Sequence, residues 1–205
     1  LGAKLPDNSS HRLEWQPDGS VLLYIGSPDL GQGLITVTEQ MVAGRLGISY
    51  DQVRTVQLDT WNSPNGNLTC ASRMTYLVGN AVLAASDELI QQLLEKASAI
   101  LNVDPRNLTY KSGQVLTTDG KVIPVSEFLG RVAEGGEKMQ AVGTASFPYP
   151  VETTPQHLPV GMPHVLFIFG GQIVRVEVDP ELGSIEITHI AAIHDVGKVI
   201  NRAGV

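Results

Sequence analysis

The chain has 205 residues, of which 42% are hydrophobic and 17% charged, an ordinary globular balance with room for one large domain or two small ones. A formal net charge of −7 without any basic run argues against a general nucleic-acid surface. No apolar stretch is long enough to span a membrane and no signal peptide is visible, while the single cysteine, Cys70, excludes an internal disulfide framework and a cysteine-held iron–sulfur cluster.

Residues 1–9 are polar, with Pro6 and Gly2 among them, and read as a loose arm. His11 to Trp15 and Ser20 to Ile25 read as two strands flanking the turn Pro17-Asp18-Gly19. Next comes Ser27-Pro28-Asp29-Leu30-Gly31-Gln32-Gly33, ahead of Leu34, Val37, Met41 and Val42 at helical spacing. A glycine-bearing bend between a strand and a helix leaves main-chain N–H groups unpaired at the helix start. Gly31 and Gly33 permit close approach of a ligand, and Gln32 offers both an amide donor and a carbonyl acceptor. A tight turn without a ligand fits the same pattern, and only a second loop of this kind weighs against it. The helix is expected to stop near Gly47, at the position where a left-handed residue is favoured. Ser49 to Gln52 reads as a turn and Val53 to Leu58 as a strand, giving a β–loop–α–β progression.

The stretch Asp59 to Cys70 is too long and polar for a mere connector. From Ala71 the pattern turns helical: Met74, Leu77, Val78, Ala81, Val82, Ala85, Leu89 and Leu93 form one apolar stripe. Thr69 or Ser72 is expected to cap this helix. A capped core helix behind a solvated loop and an anion-binding loop both remain open at this point. Asn102 to Pro105 ends the helix. Short strands follow at Leu108–Tyr110, Gln114–Thr117 and Lys121–Ile123, then a helix from Val125 to Ala133 capped by Ser126, and a strand from Met139 to Ser146. Five prolines make residues 147–163 an irregular crossing segment within a single domain. Val165–Phe169, Ile173–Val178 and Ser184–Ile193 read as strands, the last two joined by Asp179-Pro180-Glu181-Leu182-Gly183 and alternating to give one buried and one wet face. His194 and Asp195 fit a structural turn better than acid–base chemistry, since no nucleophile lies nearby. The five histidines show no HExxH or similar spacing, so no protein-held metal is expected. The opening at Leu1 and the close within a turn-like segment suggest a piece of a longer polypeptide.

Four stretches taken together resemble the molybdenum-cofactor-binding large subunit of the xanthine dehydrogenase/aldehyde oxidase family. They are Asp29-Leu30-Gly31-Gln32-Gly33; Thr69-Cys70-Ala71-Ser72-Arg73-Met74-Thr75 with Gly79-Asn80-Ala81-Val82; Val174 to Gly183; and His194-Asp195-Val196-Gly197 with Asn201. Arg202 stands where the family usually has proline. The resemblance implies an α+β fold, with mixed sheets packed with two main helices, as part of the cofactor-binding domain of a molybdenum hydroxylase. It implies that Gly31, Gln32 and Gly33, with Thr69, Cys70, Ala71 and Ser72, hold molybdopterin or its cytosine dinucleotide form, and that Arg73 pairs with the extra phosphate of the latter.

The family's Gly-Gly-x-Phe-Gly loop and its Gly-x-Gly-Glu base are absent, so no residue of this chain is expected to be catalytic. The resemblance therefore implies a fragment, inactive and empty of cofactor alone, of a cytoplasmic enzyme that hydroxylates an aldehyde or N-heterocycle with oxygen from water. Its partners would be the rest of the molybdenum subunit, iron–sulfur and flavin subunits or domains, and a small-molecule substrate. Two alternatives stay open: a natural split subunit that needs a partner chain, and a non-catalytic α+β binding or scaffold domain.

Overall fold

The computed structural model describes residues 8–57, 59–70, 72–147 and 167–204, and the chain divides between residues 163 and 164 into two compact units. In the first unit, Asn8–Trp15 (β1) and Val21–Ile25 (β2) pair antiparallel, with Arg12 opposite Tyr24 and Trp15 opposite Val21. Their turn is closed by Asp18, whose Oδ1 accepts from the Ser20 N–H at 2.9 Å and from the Ser20 hydroxyl at 2.6 Å. Of the arm expected over residues 1–9, residues 1–7 lie outside the described residues. Asn8 and Ser9 belong to β1 because a partner strand, described below, pairs with it as far as Asn8.

Leu34–Leu46 (α1) ends where expected, at Gly47 with φ 61°, and Val53–Gln57 (β3) then runs parallel to β2 with Val21 opposite Val53. Met74–Leu101 (α2) follows and stops at Asn102, in the left-handed conformation with φ 53°. Leu108–Lys111 (β4), Gln114–Thr117 (β5) and Val122–Pro124 (β6) form a small antiparallel sheet. Val125–Glu134 (α3) begins one residue ahead of Ser126, with Pro124 in the capping position, so Ser126 is not its cap. Proline suits that place because the missing N–H has no partner at a helix start.

Met139–Ser146 (β7) pairs antiparallel with all of β1, from Asn8 opposite Ser146 to Trp15 opposite Met139, giving the strand order β3-β2-β1-β7. The period of two sends Leu13, Trp15, Val21, Leu23, Ile25, Met139 and Ala141 into the core, while Gln140, Val142 and Thr144 face outward. Both long helices pack against the inward face. Leu77, Leu89 and Leu93 of α2 are fully buried there, each such side chain contributing about 1.5–3 kcal/mol. Gly143 lets α2 lie directly on β7: a Cβ there would sit 2.0 Å from the Ala81 carbonyl oxygen.

The second unit is a hairpin of Phe169–Asp179 (β8) and Ser184–Asp195 (β9), with a bulge between Arg175 and Val176. Asp179 closes its loop, accepting at Oδ1 from the N–H groups of Glu181 at 2.8 Å and Leu182 at 3.0 Å. Of the strand expected at Val165–Phe169, residues 165–166 lie outside the described residues, residues 167–168 are not in a strand, and Phe169 opens β8. One buried and one wet face were expected here, yet Ile173 and Val174, on opposite faces, are 73% and 48% exposed. A two-stranded ribbon has no second layer of its own to cover either side. The crossing segment expected over 147–163 lies outside the described residues except for Phe147.

Candidate cofactor site

In the first unit, the parallel pairing of β2 and β3 brings their C-terminal ends to one edge of the sheet, beside the start of β1 and the end of β7. Both long helices begin from loops at that edge, where α/β folds commonly bind ligands. The ring of Tyr76, in the first turn of α2, stacks on Phe147 just past β7, with centroids 4.9 Å apart and planes 4° from parallel.

The loop 26–33 leaves β2 through Gly26, where a Cβ would meet the Pro64 carbonyl oxygen at 2.1 Å, so two main chains touch at that point. Gly31 and Gly33 take φ values of 100° and 81°, and no heavy atom lies within 4 Å of a Cβ placed on either. The space above both is open to a ligand. Sequence alone suggested that the N–H groups at the start of α1 are unpaired, but two groups of this loop and helix start are taken by Asp29. Its Oδ1 accepts from Gly31 N–H at 2.8 Å and its Oδ2 from Ile35 N–H at 3.0 Å. The Ile35 N–H, ahead of those of Gly31, Gly33 and Leu34, holds the Asp29 carboxyl below its usual pKa. Gln32 folds its carbonyl back onto the Leu30 N–H at 2.6 Å.

The loop between β3 and α2 folds on itself at Asp59 and is tied to the sheet and the first loop at Gly66. Asp59 Oδ1 accepts from Trp61 N–H at 3.0 Å and Asn62 N–H at 3.2 Å, and the Trp61 side chain stands 95% exposed. Further on, the Gly66 carbonyl accepts from two buried hydroxyls, Ser9 and Ser27, each at 2.7 Å. Ser9 has committed its one hydrogen, so the His11 Nε2–H donates to Ser9 Oγ at 2.8 Å. Burial first, and the charge of Arg73 second, lower the His11 pKa from 6.5 to about 4, keeping the ring neutral.

Thr69 and Ser72 do not cap α2. The Thr69 hydroxyl instead donates to the Pro28 carbonyl at 2.8 Å, and Ser72 lies in the left-handed region at φ 56°, one residue outside the actual capping position, Arg73. The start of α2 therefore carries no side-chain cap. Cys70 and Ser72 are exposed, and Ala71 lies outside the described residues. Arg73 is 2% exposed: its Nη2 donates to the Asn8 carbonyl at 3.1 Å and its Nη1 to the Leu68 carbonyl.

The two predicted loops thus meet, joined by Thr69 to Pro28 and by Ser27 to Gly66. Open space over two glycines, an uncapped helix start and outward Cys70 and Ser72 suit a phosphorylated organic ring. Sequence reasoning missed the knot of Ser9, His11, Ser27 and Gly66. Its signal was polar residues on the inward face of β1, at Ser9 and His11, where the period of two calls for apolar ones. It also gave Asp29 no role, though its carboxylate holds the N–H groups of Gly31 in the loop and of Ile35 at the helix start. Among the described residues no group of His, Cys, Asp or Glu could hold a metal ion, and no helix is long and apolar enough to cross a membrane.

Over 204 residues the chain is 27% identical to a probable xanthine dehydrogenase subunit of Bacillus subtilis, covering 100% of this chain and 26% of that protein. It is 27% identical over 191 residues to the xanthine dehydrogenase molybdenum-binding subunit of Escherichia coli O157:H7, covering 93% of this chain and 24% of that one. The chain thus spans about a quarter of the length of these curated relatives. The crystal structure of the Cu,Mo-CO dehydrogenase in its carbon monoxide reduced state shares the fold, with a TM-score of 0.76 at 21% identity over 98% of this chain and 24% of that one. The molybdopterin cofactor-binding domain family matches residues 1–205 from end to end, and the chain belongs to that family.

Proposed function

We propose that this chain is the part of a molybdenum hydroxylase that cradles the pterin cofactor, with Gly31, Gln32 and Gly33 on one side and Thr69, Cys70, Ala71 and Ser72 on the other. The observation that carries this reading is the 2.8 Å bond from Thr69 to Pro28, which sets the two loops side by side below open space. Electrostatics divides the work between them. Next to Gly31 stands the ionised Asp29 carboxylate, which repels phosphate, so this loop suits a neutral heterocycle edge that can accept from the Gln32 amide. The uncapped start of α2, with the positive end of its dipole, suits the phosphate of molybdopterin or of its cytosine dinucleotide form.

When bound, the cofactor supplies the redox chemistry, oxidative hydroxylation of an aldehyde or N-heterocycle with oxygen from water. The residues of this chain bind and orient it. The catalytic base, the substrate contacts and the electron path belong to the rest of the molybdenum subunit and to iron–sulfur and flavin partners, in the cytoplasm, and residues 1–205 serve as one partial cofactor-binding domain that is inactive alone. The test is to produce the polypeptide that carries this chain in a host making both cofactor forms, and to measure pterin by fluorescence after oxidative release. Pterin bound to the native protein and lost with Gly31→Val supports the reading; a native protein free of pterin overturns it.

A further inference from the structure

Arg73 heads the described residues in size among fully buried side chains. A guanidinium inside a protein is costly unless its donors are satisfied, and here two are held by main-chain carbonyls, those of Asn8 and Leu68. Asn8 opens β1, and Leu68 immediately precedes Thr69. Two residues earlier the same loop is pinned again, where Gly66 accepts from Ser9 and Ser27. Between these pins and α2, Cys70 and Ser72 are exposed, and Ser72 is left-handed, a conformation that a non-glycine residue keeps only when its surroundings impose it.

We infer that Arg73 is a positioning residue of the cofactor site rather than the ion-pair partner of a cofactor phosphate. It ties Leu68 to Asn8 and so holds Cys70 and Ser72 at the site edge ahead of α2. The inference rests on the reading that this segment borders the pterin. To reach an outside phosphate, the guanidinium, now 2% exposed, would have to leave its buried position and release the carbonyls of Asn8 and Leu68. Lysine keeps the charge but lacks the planar fork that spans two carbonyls. The two roles therefore separate in the Arg73→Lys variant.

The experiment uses native protein, Arg73→Lys and Arg73→Gln. Without cofactor, chymotrypsin cleavage after Leu68, 65% exposed, is compared by mass with cleavage after Trp61 in the same long loop. Both variants are expected to be cut after Leu68 about tenfold faster, at an unchanged rate after Trp61, because only the pin at Leu68 is released. A parallel rise at both sites, or none, overturns the inference. In the cofactor-loaded polypeptide, Arg73→Lys is expected to lose molybdopterin and its cytosine dinucleotide form by the same factor. Restoration by lysine, or loss of the dinucleotide form alone, overturns it in favour of a phosphate contact. Should Arg73→Gln not fold, Arg73→Lys carries both comparisons. Native protein without pterin but with the expected cleavage contrast overturns the cofactor role and leaves the loop pin measured.

Discussion

The hydroxyl of Thr69 donates to the carbonyl of Pro28 at 2.8 Å, bridging 41 positions of sequence. This bond sets the spacing of the two loops proposed to hold the cofactor. Thr69→Val keeps the side-chain shape and leaves the Pro28 carbonyl without this donor, at about 1 kcal/mol. The expected outcome is a small fall in the urea midpoint and a larger fall in bound pterin, both reversed in Thr69→Ser.

Asp29→Ala removes the carboxylate that accepts from the Gly31 and Ile35 N–H groups, and the lost hydrogen bonding costs about 1 kcal/mol. The folded carboxyl lies below its usual value of 3.8. Its stabilisation is therefore complete above the unfolded value and disappears as pH falls through the lower, folded one. Urea titrations should separate the native protein from the variant at pH 7 and bring them together at the acid end of the range.

His11 has the opposite charge type, with the same sign of pH dependence. Its folded pKa of about 4 lies below the unfolded 6.5, so between these values the unfolded chain binds a proton that the folded chain refuses. Stability is thus expected to fall as pH drops from 6.5 towards 4, by on the order of 3 kcal/mol in total. In His11→Gln, the slope of unfolding free energy against pH over this window should be shallower by about one proton.

Two glycines should respond to alanine in different ways. At Gly143 the new Cβ would lie 2.0 Å from the Ala81 carbonyl oxygen and 2.4 Å from the Ala85 nitrogen, so α2 must lift from β7 at about 1–3 kcal/mol or more. At Gly31 nothing lies within 4 Å, and only the left-handed backbone is penalised, by about 1–2 kcal/mol. Thermal unfolding should show the larger loss for Gly143→Ala. Pterin retention should show the larger loss relative to stability for Gly31→Ala.

Elements governed by local chemistry were legible in the sequence. Gly47 ends α1, the apolar stripe from Met74 to Leu93 forms α2, and the strands from Leu108 to Thr117 lie where turn residues placed them. The meeting of the two loops followed from the family resemblance, which has both hold one cofactor, and Thr69 bonds Pro28 across them. What escaped depends on contacts between distant segments. The hydroxyl of Thr69 was expected to cap its own helix, yet a carbonyl 41 residues away takes it. Arg73 carries a charge that suggests a surface role, yet its side chain is 2% exposed and donates to the carbonyl of Asn8, 65 positions away, and to that of Leu68. The face expected to be buried in β8 and β9 could not be read correctly from alternation, which marks faces without saying what covers them.

The pairing of β1 with β7 also has a bearing on how the chain is made. Ser10 bonds Thr144 across a separation of 134 residues, so an interior strand of the sheet emerges from the ribosome long before one of its two neighbours. Until β7 arrives, β1 offers a bare row of main-chain donors and acceptors to any passing strand. Polypeptides cut short ahead of Met139 keep that row uncovered and are the species from which clumping during synthesis would start.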